Sequence, residues 1–175
     1  SPKIARHLAP YKGKSIQNIK GLIRSIRRVE GLGAEVIIYP DAEEYIHQKL
    51  FQERMTAAVA EIRKDPQKHP LRKTLLNTEL LPYQMDGIAF AAGVGRAVLA
   101  DDMGLGKTIQ GIGAAELLSR HASVSKVLVI CPASLKSQWR IEIERFSNRS
   151  RQLVLGSAKD RPAQYESDRF FTVCN

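Results

Sequence analysis

Ala97-Val98-Leu99-Ala100-Asp101-Asp102-Met103-Gly104-Leu105-Gly106-Lys107-Thr108 decides how this chain is read. Four apolar residues without polar alternation predict a short buried strand, a glycine-rich turn follows, and Lys107 opens a helix to about Arg120. Strand, Gly-x-Gly-Lys-Thr turn and helix together are the context a phosphate-binding loop requires. Gly104 and Gly106 let the backbone curl so that its N–H groups converge on β- and γ-phosphate oxygens. The new helix adds its positive end and its unpaired first N–H groups. Lys107 brings a mobile charge to the same phosphates, and the Thr108 hydroxyl is a ligand for Mg²⁺. Asp102, Met103 and Leu105 complete the loop. The bland alternative is a glycine turn into a helix with Lys107 merely solvated. Five residues before Gly106, where the general pattern has glycine, stands Asp101. That opening is unusual for kinases and small GTPases.

Working outward, Pro82 suits a first helical turn and predicts a helix through about Ala92. Val127 to Ile130 is a second apolar strand stopped by Pro132, and Leu135, Trp139, Ile143 and Phe146 mark a helix that Ser134 could cap. Leu153 to Leu155 and Phe170 to Val173 are further strand candidates. Apolar strands separated by helices indicate a parallel sheet covered on both faces, an α/β fold. Toward the N-terminus, Ile16, Ile19, Ile23 and Ile26 form one stripe of an amphipathic helix from Ser15 to Arg28, with Lys20, Arg24, Arg27 and Arg28 around it. Ala34 to Tyr39 is β-branched and predicts a strand. Asp41 then caps a long helix whose face runs Ile46, Leu50 or Phe51, Met55, Val59 and Ile62, broken at Asp65-Pro66. Pro66 to Lys73 has the composition of a linker. The division is therefore a basic, mainly helical region over 1–74 and an α/β region over 75–175.

Charge follows the same division. Residues 1–75 hold 15 Lys and Arg against 8 Asp and Glu, and the remaining residues hold 12 against 10. Such asymmetry suits a polyanionic partner, nucleic acid before membrane, and on charge alone a solvated basic surface is an equal reading. The most apolar stretch, Ile88 to Val94, falls far short of the roughly 18 apolar residues of a membrane span. Cys131 and Cys174 make neither a disulfide framework nor a metal site, and the N-terminus has no apolar leader, so a reducing, intracellular setting is expected. His7, His47, His69 and His121 have no ligand spacing.

Leu99 to Thr108 closely resembles motif I of the Swi/Snf-type ATPases, the chromatin-remodeller-like branch of helicase superfamily two, with Asp102 where that family usually has Glu. Leu81-Pro82-Tyr83-Gln84-Met85-Asp86-Gly87 resembles its upstream element, which makes Gln84 the adenine-reading glutamine; an amide both donates and accepts, as adenine N6 and N7 require. Alone, Gln84 reads first as an ordinary polar residue of a helix's first turn; motif I following at the expected distance reverses that preference. Val129 to Leu135, with Gln138-Trp139 after it, resembles motif Ia. The resemblance thereby places Pro132, Ala133, Ser134 and Lys136 on the DNA backbone, although Lys136 could be solvated and Trp139 reads better as packing. Over residues 80–175 the resemblance implies an incomplete RecA-like lobe that binds ATP and Mg²⁺. The parent would be a DNA-dependent ATPase that translocates on duplex DNA and displaces or remodels bound proteins. A bacterial, nucleoid-associated setting is expected rather than a nuclear one. Rival readings are a non-catalytic nucleic-acid-binding module built on Lys3 to Arg28, and a small-molecule kinase, for which no substrate lid is apparent.

Hydrolysis also needs a carboxylate pair after a neighbouring strand, to hold Mg²⁺ and orient water. The adjacent acid pairs, Glu43-Glu44 and Asp101-Asp102, follow no such strand, so no complete catalytic set is expected here; the resemblance places it further along, with a second lobe. This chain by itself is expected to show weak or no ATPase. Multiple-turnover hydrolysis by pure material at rates typical of remodeller-like motors would refute that.

Overall fold

An asparagine decides where the first long helix begins. In the computed structural model, which describes residues 2–13, 16 and 18–175, α1 (Pro2–Leu8) and a 3-10 turn (Ala9–Tyr11) come first. The Asn18 side-chain oxygen then accepts from the Gly21 N–H at 2.8 Å and caps α2 (Ile19–Gly31). The expected start at Ser15 lies outside the described residues, and Ile16 precedes the helix. The buried face is Ile19, Leu22 and Val29, flanked by half-buried Ile23 and Ile26. Lys20, Arg24, Arg27 and Arg28 lie exposed on the other side. After the helix, the Gly33 N–H bonds the Glu30 carbonyl at 2.9 Å.

Residues 34–39, expected as a strand, form none. A strand exists only as part of a hydrogen-bonded ladder, and among the described residues no strand pairs with this run. Ile37 and Tyr39 stay exposed. The long helix α3 (Pro40–Lys64) starts two residues earlier than an Asp41 cap, which would put the first helical residue at Ala42, would have it. Proline needs no acceptor for a missing N–H and its φ suits the first turn, so Asp41 joins Glu43 inside that turn. The helix ends before Asp65-Pro66, as read from sequence.

Packing divides the chain into two compact units, Ser1–Glu53 and Arg54–Asn175. In the second unit the stretch expected as a linker is folded. It contains α4 (Leu71–Thr74), and Arg72 donates to the Leu80 carbonyl at 2.7 Å while pairing with Glu79 at 3.0 Å. A guanidinium with five donors can satisfy carbonyls that composition alone assigns to water. Leu75, Leu76 and Leu80 are buried behind it.

Helices α5 (Pro82–Val94) and α6 (Lys107–Ala122) form the core of this unit. They approach closely because Gly113 has no side chain: a Cβ there would lie 2.3 Å from Ile88 Cδ1. Ile88, Ala89, Ile112 and Leu117 are fully buried as a result. Arg120, in the last turn of α6, donates to the Thr74 and Leu75 carbonyls at 2.7 and 3.1 Å.

Then follow β1 (Val127–Ile130), a 3-10 turn, α7 (Lys136–Phe146), β2 (Arg151–Leu153), α8 (Pro162–Tyr165) and β3 (Phe171–Cys174). The strands form one parallel sheet in the order β1-β3-β2, with Val127 opposite Phe171 and Leu153 opposite Val173. The expected α/β class with a parallel sheet is present. Two details differ. Ala97 to Ala100 is not a strand, because none of the three strands pairs with it; Val98 is 84% exposed. The sheet is also not covered throughout: β3 is buried on both faces, whereas Leu128 and Ile130 on β1 are exposed. Among the described residues no helix is long and apolar enough to cross a membrane.

A buried acid joins α6 to the β2 side of the sheet. Glu116 accepts from Arg149 Nε at 3.0 Å, from its terminal nitrogen at 3.1 Å and from Ser147 Oγ at 2.8 Å. Hydrogen bonding to Glu116 raises the Arg149 pKa above its ordinary value, and the guanidinium also lies 4.4 Å from the Phe170 ring centroid. Removing Glu116 takes the buried acceptor from Arg149, whose side chain is 37% exposed and stays in reach of water. Glu116→Ala is expected to lower stability by about 1.5 kcal/mol in urea unfolding of the protein, the range of a lost hydrogen bond to a charged group; a loss under about 0.5 kcal/mol, the range of ordinary surface substitutions, would show that the network contributes little.

Candidate nucleotide-binding site

The loop between residues 97 and 106 enters α6 through Gly106, whose φ of 80° and ψ of 40° are left-handed. The turn also leaves no room. A Cβ on Gly106 would lie 2.7 Å from Gln84 Nε2 and 2.9 Å from Ile109 Cγ2. Gly104 has a φ of 86°, again a conformation that side chains resist. The loop surface is open: Met103 is 95% exposed, Asp102 and Leu105 are exposed, and Thr108 is half-buried.

Two features test whether these residues fit a nucleoside triphosphate and its Mg²⁺. The N–H groups of Gly104, Gly106, Lys107 and Thr108 have no acceptor among the described residues, and they surround the positive end of a 16-residue helix. Lys107 Nζ bonds the carbonyls of Asp101 and Asp102 at 2.7 and 3.0 Å. Those contacts are to neutral oxygens, so a phosphate, which makes stronger charge-assisted bonds, can replace them. The donor set fits polyphosphate. For the metal, Thr108 offers one oxygen; no group of three or more His, Cys, Asp or Glu is arranged as a metal site among the described residues.

Four side chains fix the loop, and two of them were not singled out from sequence. Gln84 accepts from the Leu81 N–H at 3.0 Å, so it does serve its own helix start, and its Nε2 donates to the Leu105 carbonyl at 3.4 Å. Tyr83 Oη donates to the same carbonyl at 3.1 Å. At the other end, Asp101 accepts from Gln110 Nε2 at 2.7 Å. Gln110 is fully buried, and its Oε1 has no donor; it lies against Gly87, where a Cβ would be 2.1 Å away. The acid that replaces the usual first glycine therefore ties the loop to α6. The available signal was a glutamine on an otherwise apolar helix face, three residues after Lys107.

The residues assigned to DNA do not stay together. Pro132, Ala133 and Ser134 lie exposed on the turn after β1. Ser134 does not cap the helix, because the chain enters α7 through a 3-10 turn and the capping position falls on Leu135, with no side-chain bond. Lys136 is buried rather than solvated: its Nζ donates to the Val154 carbonyl at 2.7 Å and to Asn175 Oδ1 at 3.1 Å. Trp139 is half-buried, with its ring 3.7 Å from where a Gly111 Cβ would stand, which is a packing position. No hydrogen bond links the Pro132 turn to the 101–108 loop among the described residues.

Comparison with known proteins bears on the same segment. Residues 83–173 match the SNF2-related domain. The chain is 33% identical over 132 residues to the SWI/SNF-related matrix-associated actin-dependent regulator of chromatin subfamily A-like protein 1 of Xenopus laevis, covering 75% of this chain and 13% of that protein. It is 44% identical over 72 residues to the human DNA annealing helicase and endonuclease ZRANB3, covering 41% of this chain and 6% of that protein. A solved SWI2/SNF2 ATPase core from Sulfolobus solfataricus, in complex with dsDNA, aligns with a TM-score of 0.49 and 30% identity over 57% of this chain and 22% of that one. The chain thus spans only a small part of the curated relatives it matches. With the family match extending over more than half of its residues, the loop and α5–β3 included, this chain belongs to the SNF2-related domain family.

Proposed function

We propose that this chain is the ATP-binding part of an ATP-dependent DNA translocase that moves along duplex DNA and displaces or remodels proteins bound to it, in a bacterial, nucleoid-associated setting. The observation that carries the reading is the set of four acceptorless amides, at Gly104, Gly106, Lys107 and Thr108, beside a lysine at the start of α6. Lys107 exchanges its carbonyl partners for β- and γ-phosphate oxygens, and Thr108 Oγ1 takes a place on Mg²⁺. Asp102, Met103 and Leu105 supply the rest of the loop backbone. ATP hydrolysis in the parent protein supplies the free energy for movement.

Gln84 reads the base. Its bond to the Leu105 carbonyl is long at 3.4 Å, so the amide nitrogen can turn to adenine at little cost, while Tyr83 keeps Leu105 in place. On the DNA side, the exposed Pro132-Ala133-Ser134 turn offers its hydroxyl and backbone to phosphate oxygens. Lys136 acts from within, holding the first turn of α7 to the Val154 carbonyl and so fixing the DNA-facing turn.

Two measurements on the intact protein test this. Lys107→Ala is expected to weaken binding of a fluorescent ATP analogue at least about 100-fold, near 2.8 kcal/mol; unchanged affinity would remove the assignment. Gln84→Ala is expected to raise the Kd for ATP about tenfold, near 1.4 kcal/mol, and to leave that for GTP unchanged. An equal loss for both nucleotides would mean that Gln84 only caps its helix and braces the loop.

A further inference from the structure

The basic side of α2 has no role in nucleotide binding, yet its construction is unusual for a merely solvated face. Residues 24, 27 and 28 stand at i, i+3 and i+4, within about one helical turn of each other and opposite the buried Ile19, Leu22 and Val29. All three are exposed arginines. None has a carboxylate within salt-bridge distance among the described residues, whereas the neighbouring Lys20 pairs with Glu53 at 3.3 Å. Arg24 even turns its Nε back onto the Lys20 carbonyl at 3.3 Å for want of an acid partner.

Like charges at these spacings oppose helix formation. The helix dipole accounts for a cation in the last turn, where Arg28 sits; it gives no reason for Arg24, in the middle of the helix. The local sequence reinforces the imbalance, since eight basic residues precede the first acid, Glu30. A face of unpaired guanidiniums, which bind phosphate oxygens in pairs of parallel bonds, matches a regularly spaced polyanion better than a single anion.

We propose that Arg24, Arg27 and Arg28 on α2 form a binding surface for the sugar-phosphate backbone of duplex DNA, a contact additional to the turn after β1. The choice of duplex DNA among polyanions rests on the translocase reading above; the surface itself rests on α2. Contact is sequence-independent, because guanidiniums on phosphate carry no base information. Its signature is salt dependence: each phosphate neutralised contributes about 0.9 to the slope of log Kobs against log salt.

The test is fluorescence anisotropy of the intact, nucleotide-free protein on a labelled mixed-sequence duplex across a KCl series. The variant Arg24→Gln/Arg27→Gln/Arg28→Gln is expected to reduce the slope by about 2–3 and to weaken binding at 100 mM KCl at least about tenfold. The corresponding triple lysine variant should restore most of the slope, which a packing role would not allow. Binding of the fluorescent ATP analogue should be unchanged in both variants, so loss of the nucleotide reading and loss of this surface give separate results. Should the glutamine triple variant unfold by circular dichroism, Arg24→Gln alone is expected to reduce the slope by about 0.9. An unchanged slope in the folded variants overturns the proposal. So does wild-type binding to phosphatidylserine vesicles, through the same arginines, that is tighter than binding to the duplex.

Discussion

Four backbone N–H groups without an acceptor among the described residues, at Gly104, Gly106, Lys107 and Thr108, are the constraint around which the second unit is arranged. Backbone donors are normally paired, and leaving several together beside a helix start is tolerable only where water or an anion can reach them. The chain must therefore stay open on one side of the loop while being held firmly on the other. Exposed Met103 and Asp102 mark the open side. On the other, Tyr83, Gln84 and Gln110 reach the loop from α5 and α6 and bind Leu105 and Asp101.

That bracing depends on how closely α5 and α6 pack. Gly113 lets Ile88 lie against the backbone of α6, and Gly87 leaves space for the Gln110 side chain. A bulkier residue at either glycine would separate the helices and carry Gln84 and Gln110 away from the loop ends. The unpaired Oε1 of Gln110 is a cost of this arrangement, offset by its strong bond to the Asp101 carboxylate. Loop, helix start and helix pair form one mechanical element. At its far end Arg120 ties α6 to the Thr74 and Leu75 carbonyls, and Glu116 ties it to Arg149 beside β2.

Buried polar side chains do much of this joining, and they changed the reading of particular residues. Lys136 looked like a surface cation suited to phosphate; the fold buries it and gives its ammonium to Val154. Arg72 turned a proline-rich, basic stretch into a folded one. By contrast, Arg24, Arg27 and Arg28 remain where composition put them, on an exposed helix face without acid partners among the described residues. A basic residue in sequence is thus only a donor; whether its acceptor is a carbonyl inside or a phosphate outside depends on what the fold brings near.

The sequence by itself determined what depends on neighbours along the chain. The Gly-x-Gly-Lys-Thr turn into α6, the proline at the start of α5, the apolar run of β1 and the break at Asp65-Pro66 are set by local dihedral preference and side-chain period. The family was also legible, since motif I carries it within ten residues. What only the tertiary structure decided depends on partners distant in sequence. Residues 34–39 and 97–100 have strand composition but no ladder, because a strand is a relation between two segments. The Asp101–Gln110 bond, the buried Glu116 and the inward turn of Lys136 have the same origin. Each pairs a polar group with one that sequence order does not place beside it, and only packing brings the two within about 3 Å, the reach of a hydrogen bond.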